Sequence, residues 1–204
     1  MVSTRKESQF SRFSSLNLKD FIITIPNVLP ADEYFEILDH CEQTQDFARK
    51  EKHNNEENTL NQNGSRYDIE LTPGRIYDLI RKAFLFGLDE VYPYYDYLIP
   101  KEFYHYCSGY WLLKYIEGDY LSCHNDFDAE SGSLTMSYLI NDDYEGGELQ
   151  FWKEYKIPNQ KNSLHIFPSC LLYPHEVLPI TNGIRYSAIT WFGAQRPGMD
   201  KRDI

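Results

Sequence analysis

Leu134-Thr135-Met136-Ser137-Tyr138-Leu139-Ile140-Asn141-Asp142-Asp143-Tyr144-Glu145-Gly146-Gly147-Glu148-Leu149 decides the fold class. Residues 134–141 are apolar, β-branched or aromatic and read as a strand. Asn141, the two aspartates and the glycine pair supply turn chemistry, and a second strand resumes over 148–152. The same punctuation recurs on both sides of this stretch. Residues 104–121, 163–167 and 184–192 read as further short strands, separated by Gly, Asn, Asp and Pro. Seventeen tyrosines and twelve phenylalanines suit such strands, because flat rings pack well on a pleated surface.

Upstream the character differs. Phe21 to Ile25 reads as a buried strand stopped by Pro26. A helix follows Leu29-Pro30 and runs to about Cys41, with Asp32 and Glu33 suited to the dipole of its first turn. A second helix begins at Thr72-Pro73 and continues to about Phe86, with Ile76, Leu79, Ile80 and Ala83 on one face. Between them, Gln43 to Arg66 is almost wholly polar and reads as a long exposed loop, either a solvated insertion or a lid. Two helices followed by many short strands predict a mainly β fold, a barrel or jelly roll braced by an N-terminal helical layer. The expected organisation is a flexible N-terminus over 1–20 and one domain over 21–204, with helical support at about 28–90 and the β core at about 91–195.

Bulk chemistry removes several function classes. With 20 basic and 31 acidic residues the formal net charge is -11, whereas a nucleic-acid partner calls for a basic surface that releases counterions. Nucleic acid is therefore disfavoured. No apolar run approaches the ~20 residues of a membrane span, and no apolar stretch follows Arg5-Lys6 to make a signal peptide. Cys41, Cys107, Cys123 and Cys170 form no C-x-x-C pair, so reduced thiols and a cytoplasmic location are expected.

The candidate chemistry begins at His124-Asn125-Asp126. On an extended strand, side chains two residues apart share a face, so an imidazole and a carboxylate converge. Adding a distant histidine gives a two-histidine, one-carboxylate set suited to non-haem iron(II). His40-Cys41-Glu42 has the same pattern but lies on the first predicted helix, where positions two apart diverge by about 200°. His165, amid Leu164, Ile166 and Phe167, is expected to pack on the outer strand face. Arg185 lies on an apolar strand with no acidic neighbour, where an unpaired charge is expensive. A dicarboxylate is its natural counter-ion, since a guanidinium fork meets a carboxylate with two parallel hydrogen bonds. Ser187 shares its face by strand alternation.

Four linked blocks carry a resemblance. They are Tyr115-Ile116-Glu117-Gly118 ahead of His124-Asn125-Asp126, the turn Asn141 to Glu148, Ile166-Phe167-Pro168, and His175 ten residues before Arg185. In order and spacing, from Leu112 to Phe192, they resemble the prolyl 4-hydroxylase-like branch of the iron(II)- and 2-oxoglutarate-dependent oxygenases. That resemblance implies a double-stranded β-helix (jelly roll, cupin-like) core. It implies His124, Asp126 and His175 as ligands to Fe(2+), Arg185 as the anchor of the 2-oxoglutarate co-substrate, and O2 as the oxidant. Tyr138, Tyr115 and Ser187 are expected as further co-substrate contacts, Gly146-Gly147 as a turn without a chemical role, and ascorbate as a reductant. The implied reaction releases succinate and carbon dioxide while hydroxylating a prolyl or other side chain in a peptide or protein, or a small molecule. Two alternatives stand beside it: a jelly-roll binding module retaining a metal site, and an oxygenase acting on a free amino acid or nucleobase.

Overall fold

Strand periodicity in Leu134–Leu139 and Arg185–Phe192 sorts their side chains onto two faces, and each face is buried by a different partner. The computed structural model describes residues 17–52, 64–95, 107–127 and 133–193. Along the chain run β1 (Ile23–Pro26), α1 (Ala31–Gln43), β2 (Ala48–Lys52), β3 (Gly64–Glu70), α2 (Arg75–Tyr95), β4 (Trp111–Tyr115), β5 (Tyr120–His124), β6 (Leu134–Leu139) and β7 (Glu145–Gly146). They are followed by β8 (Leu149–Phe151), β9 (Tyr155–Lys156), β10 (Ser163–Pro168), β11 (His175–Val177), β12 (Ile180–Asn182) and β13 (Arg185–Phe192). The antiparallel path β1-β10-β6-β13-β4-β3-β5-β11-β8-β9 curls into an open half-barrel, with β2 added beside β3 and with β12 and β7 forming a separate pair. This is the expected double-stranded β-helix-like architecture braced by helices.

On the outer face of the half-barrel, Met136, Tyr138, Leu164, Ile166, Tyr186 and Ala188 pack against the two helices. α1 contributes Tyr34, Ile37 and Cys41, and α2 contributes Leu79, Ile80, Ala83, Phe84, Leu88 and Val91. Each fully buried side chain of this size contributes on the order of 1.5–3 kcal/mol relative to exposure. Gly87 sets how close α2 can lie. A Cβ there would stand 2.9 Å from Met136 Cε and 3.1 Å from Ile166 Cδ1, and closer still to Leu164. On the inner face, Leu113, Tyr115, Leu139, Leu149, Phe151 and Phe167 form a second core. No helix among the described residues is long and apolar enough to cross a membrane, and the four cysteines are free thiols.

Several expectations are corrected. Leu18–Phe21 forms a 3-10 helix capped by Asn17, and residues 1–16 of the expected flexible terminus lie outside the described set. The second helix extends to Tyr95 because its apolar stripe continues through Leu88 and Val91. The polar stretch read as a loop is partly a β-hairpin: β2 pairs with β3 from Ala48↔Asp68 to Lys52↔Gly64, and residues 53–63 are outside the described set. β3 then sits between β4 and β5, so a segment expected to be helical support supplies a strand of the main sheet. What holds this hairpin is polar. The buried Asp119 carboxylate accepts from Arg49 Nη1 at 2.8 Å, Ser65 Oγ at 2.6 Å and the Ile116 amide at 3.0 Å.

His165 is also corrected. It shares the inner face with Ser137, its register partner, and with Phe167, and its Nδ1 pairs with Thr24 Oγ1 at 3.1 Å. Burial, and after it the charge of Arg185, pushes its pKa down to about 3 from 6.5. The folded state therefore refuses a proton that the unfolded chain accepts. This contribution to stability is full above about pH 6.5 and is lost as pH falls toward about 3. His165→Asn removes the titration while keeping a polar group for Thr24. The urea midpoint of the variant is expected to fall less steeply than that of wild type between about pH 6.5 and 4.5. Parallel slopes would exclude His165 as a source of acid sensitivity.

Candidate active site

β5 and β11 lie side by side, with His124 directly opposite His175. Their rings are 4.3 Å apart between centroids, and Asp126 lies two residues beyond the end of β5. One ligand atom from each of His124, Asp126 and His175 falls within 4.8 Å of the others. His124 Nε2 is 3.5 Å from Asp126 Oδ1, and His175 Nε2 is 3.5 Å from Asp126 Oδ2. The three expected ligands are thus brought together inside the barrel.

Local hydrogen bonds decide which ring nitrogens are free. His124 Nδ1 lies 2.8 Å from the Ser122 carbonyl and His175 Nδ1 3.1 Å from the Tyr173 carbonyl. A carbonyl only accepts, so each Nδ1 carries the proton and each Nε2 lone pair faces the cluster. His175 is enclosed by Phe167 and Phe151, and burial pushes its pKa down to about 4 against the opposing pull of Asp126. It is neutral and ready to donate a lone pair at pH 7. For Asp126, burial raises the carboxyl, but the His124 hydrogen bond, the two histidine charges and Thr135 outweigh it and hold the group well below the usual carboxylate range. Two imidazoles that turn Nε2 to one point and one carboxylate fit a borderline divalent cation such as iron(II).

The carboxylate is itself oriented. Thr135 Oγ1 donates to Asp126 Oδ2 at 2.6 Å and pairs with Ser169 Oγ at 2.9 Å. Thr135 is fully buried on β6, so this bond fastens the segment after β5 to the opposite wall of the barrel. No residue pattern announces it, because a threonine inside a strand is ordinary β-former chemistry.

Arg185 stands at the start of β13, buried on the inner face with Tyr115 opposite it on β4. Its guanidinium lies 5.3 Å from the centroid of the Tyr115 ring, and its Nη1 donates to Ser187 Oγ at 2.7 Å. Its Nε is buried with no acceptor, and no ion pair to Arg185 is present among the described residues. Arg185, Ser187 and Tyr115 therefore come together as expected. Tyr138 does not join them. It points to the helical face, where its hydroxyl donates to Asn162 Oδ1 at 2.8 Å; Asn162 in turn bonds both backbone groups of Leu29. The inward position belongs to its neighbour Leu139, whose register partner on β13 is Ser187. The co-substrate role expected for Tyr138 is withdrawn on this ground.

The half-barrel and the buried pair of histidines with one carboxylate define a jelly-roll protein with a site for a divalent metal. The model of the 2OG-Fe(II) oxygenase superfamily matches residues 110–193. A PKHD-type hydroxylase from Synechococcus sp. is 38% identical over 77 residues, covering 35% of this chain and 33% of the relative. One from Alteromonas mediterranea is 35% identical over 74 residues, covering 35% and 32%. The aligned part thus spans about a third of the length of these curated relatives. A prolyl-4-hydroxylase from Pseudomonas putida superposes with a TM-score of 0.63 at 16% identity, covering 86% of this chain and 94% of that one. A Trichoplax adhaerens prolyl hydroxylase, solved with a hypoxia inducible factor oxygen degradation domain peptide fragment, gives 0.66 at 17% identity over 85% and 83%. At such identities the structures speak for the fold alone. Residues 110–193 are thus similar to the iron(II)- and 2-oxoglutarate-dependent oxygenases, and a third of the chain is similar to PKHD-type hydroxylases. Fe(II) and 2-oxoglutarate are the cofactor and co-substrate that this likeness and the donor set imply.

Thr135→Val removes the hydroxyl that fixes Asp126 and keeps the side-chain shape. The expected result is a metal affinity lowered by about ten- to a hundredfold, read by titrating manganese(II) into the metal-free protein, with unfolding little changed. Unchanged affinity would show that Asp126 is held in place without Thr135.

Proposed function

We propose that this protein is a hydroxylase that uses iron(II), 2-oxoglutarate and O2 to oxidise a side chain of a peptide or protein, with a prolyl residue as the first candidate. Residues 21–204 act in this reading as one catalytic domain. The observation that carries it is the pairing of two buried polar groups with opposite needs. His124, Asp126 and His175 bring their ligand atoms to one point, and Arg185 holds a buried Nε–H that has no acceptor. A metal ion and a dicarboxylate satisfy both.

In this mechanism the bound iron supplies the redox chemistry that couples decarboxylation of 2-oxoglutarate to substrate hydroxylation. The protein's own contribution is positioning. His124 and His175 present fixed Nε2 lone pairs, Thr135 orients Asp126, and Arg185 with Ser187 grips the far carboxylate of the co-substrate. Ser187 can do so because its oxygen accepts from Arg185 while its O–H remains to donate. Phe151 and Phe167 screen His175 from water, which protects a reactive centre from side chemistry. The inner wall beside Thr135 carries Trp191, whose buried indole N–H has no acceptor in the chain. An amide carbonyl of a peptide substrate would satisfy it. Ascorbate belongs to this reading as a reductant that restores iron(II), and a cytoplasmic setting would keep the four thiols reduced.

The test is release of succinate from 2-oxoglutarate under iron(II), with and without proline-containing peptides. His124→Ala should abolish release while the variant unfolds at a temperature near that of wild type. Retained turnover would overturn the ligand assignment. Arg185→Ala should weaken 2-oxoglutarate by at least about 2 kcal/mol, as for a lost bidentate charged contact, and leave manganese(II) binding intact. Equal co-substrate affinity in the two proteins would remove Arg185 from the site. Metal binding without succinate release under any condition would favour the binding module.

A further inference from the structure

β3 brings a second arginine to the face of the sheet that holds the site. Asp68 is the register partner of Leu113 and Glu70 that of Trp111, so these β3 residues share the face of the inner core. Arg66 lies on the same face by alternation, two residues before Asp68 and on the strand next to Tyr115. Arg185 flanks Tyr115 from the other side, on β13. β4 thus runs between two arginines of the same face.

The chain does not satisfy the Arg66 guanidinium. Its Nε is buried without an acceptor. Its ion pair with Asp68 is long, 3.9 Å from Nη2 to Oδ2, and so beyond hydrogen-bond reach. Asp68 is shared besides with Lys50, the register partner of Arg66 on β2, whose Nζ is 3.8 Å from Oδ1. Glu70, further along the face, is engaged in an interaction of its own. Two cations therefore divide one carboxylate, in a chain whose formal net charge is -11. The Arg66 side chain is 21% exposed, so a ligand can reach it. It is also held in place. Ser65, its neighbour in sequence, donates to the buried Asp119 at 2.6 Å, and Arg49 on β2 donates to the same carboxylate at 2.8 Å. Both bonds lie on the opposite face of the hairpin and fix the backbone that presents Arg66.

With the far carboxylate of 2-oxoglutarate at Arg185 and its oxo-acid end at the metal, the co-substrate has no group left for Arg66. The anion that completes it comes with the substrate. We propose that Arg66, with Lys50 beside it, binds a carboxylate side chain of the peptide, an aspartate or glutamate close to the residue that is oxidised, and so makes the protein prefer acidic over basic sequences around its target. This rests on the peptide reading of the proposed function. A guanidinium fork meets such a carboxylate with two parallel hydrogen bonds, which leaves Asp68 to Lys50.

The test uses peptides of about ten residues, labelled with fluorescein at the N-terminus and amidated at the C-terminus. Each has a central proline in an Ala, Gly and Ser background, with one glutamate, glutamine or lysine placed at every other position in turn. Binding to the full chain loaded with manganese(II) and 2-oxoglutarate is read by fluorescence polarisation, and succinate release under iron(II) is measured with the same peptides. The expected result is a position at which wild type binds the glutamate peptide about tenfold more tightly than the lysine peptide, with glutamine between them. Arg66→Gln should level the three, and Arg66→Glu should reverse their order, which loss of packing alone would not do; melting temperatures are checked against wild type. Lys50→Glu, at an exposed position, should shrink the preference even where an Arg66 variant fails to fold. Equal binding of the three peptides by wild type at every position, or a preference that Arg66→Gln retains, would overturn the proposal. A preference seen only with a free C-terminal carboxylate would assign Arg66 to a chain end and overturn it likewise. If wild type binds manganese(II) and 2-oxoglutarate but none of the peptides, the peptide reading fails and the proposal falls with it.

Discussion

The hydrogen bond from each metal-facing histidine to the carbonyl two residues before it is the constraint on which the site depends. His124 bonds to Ser122 and His175 to Tyr173, and the two rings are related across one pair of antiparallel strands. With Nδ1 committed to a carbonyl, neither ring can turn over without stranding a donor in the core. Both Nε2 atoms then have to face the barrel interior. Asp126 falls between them because β5 ends at His124, and Thr135 draws the carboxylate toward β6. The metal geometry is therefore set before any metal arrives.

That arrangement requires a sheet with two buried faces. β6 is buried at every position from Leu134 to Leu139, so alternation alone decides which residues meet the helices and which line the site. A shift of one residue would exchange Thr135 for Met136 and Leu139 for Tyr138, putting a thioether beside Asp126 and a polar phenol elsewhere. Register is held from outside by the apolar packing of α1 and α2, which Gly87 allows to come close, and by Asn162. Asn162 ties the Tyr138 hydroxyl to the entry of α1. The outer core thereby fixes the inner chemistry.

Much of this was legible in the residues, and the failures have physical reasons. The strands β6, β8, β10 and β13 carry enough β-branched and aromatic residues for their class to be read directly, and His124, Asp126 and His175 follow from spacing and family order. A strand buried on both faces shows no alternation of polarity, however, so nothing in Ser137-Tyr138-Leu139 announces which residue points inward. Tyr138 was misplaced for that reason, and His165 was sent to the wrong face by the same ambiguity. β2, Ala-Arg-Lys-Glu-Lys, has no apolar residue beyond its alanine and is held by charges on distant segments, Asp119 and Asp68. Long-range pairing of that kind leaves no local pattern. Thr135 was missed because its role rests on a hydrogen bond to Asp126 on another segment, which only a three-dimensional arrangement reveals.

The inner face thus contains two polar clusters governed by different logic. Around the triad the chain satisfies its own groups: each imidazole has a carbonyl, and Asp126 has Thr135 backed by Ser169. Around Arg185 it does not, since Nε is left without an acceptor. A protein selected only for stability would place an aspartate or glutamate there, because a buried charge that is unpaired is among the more expensive features a fold can carry. Such an acid would also neutralise the guanidinium and compete with any incoming carboxylate. Keeping Arg185 uncompensated concentrates the instability of the folded chain at the place where a dicarboxylate can relieve it. Affinity at that end of the barrel then comes from donors already fixed in position, and little ordering is needed when the ligand arrives.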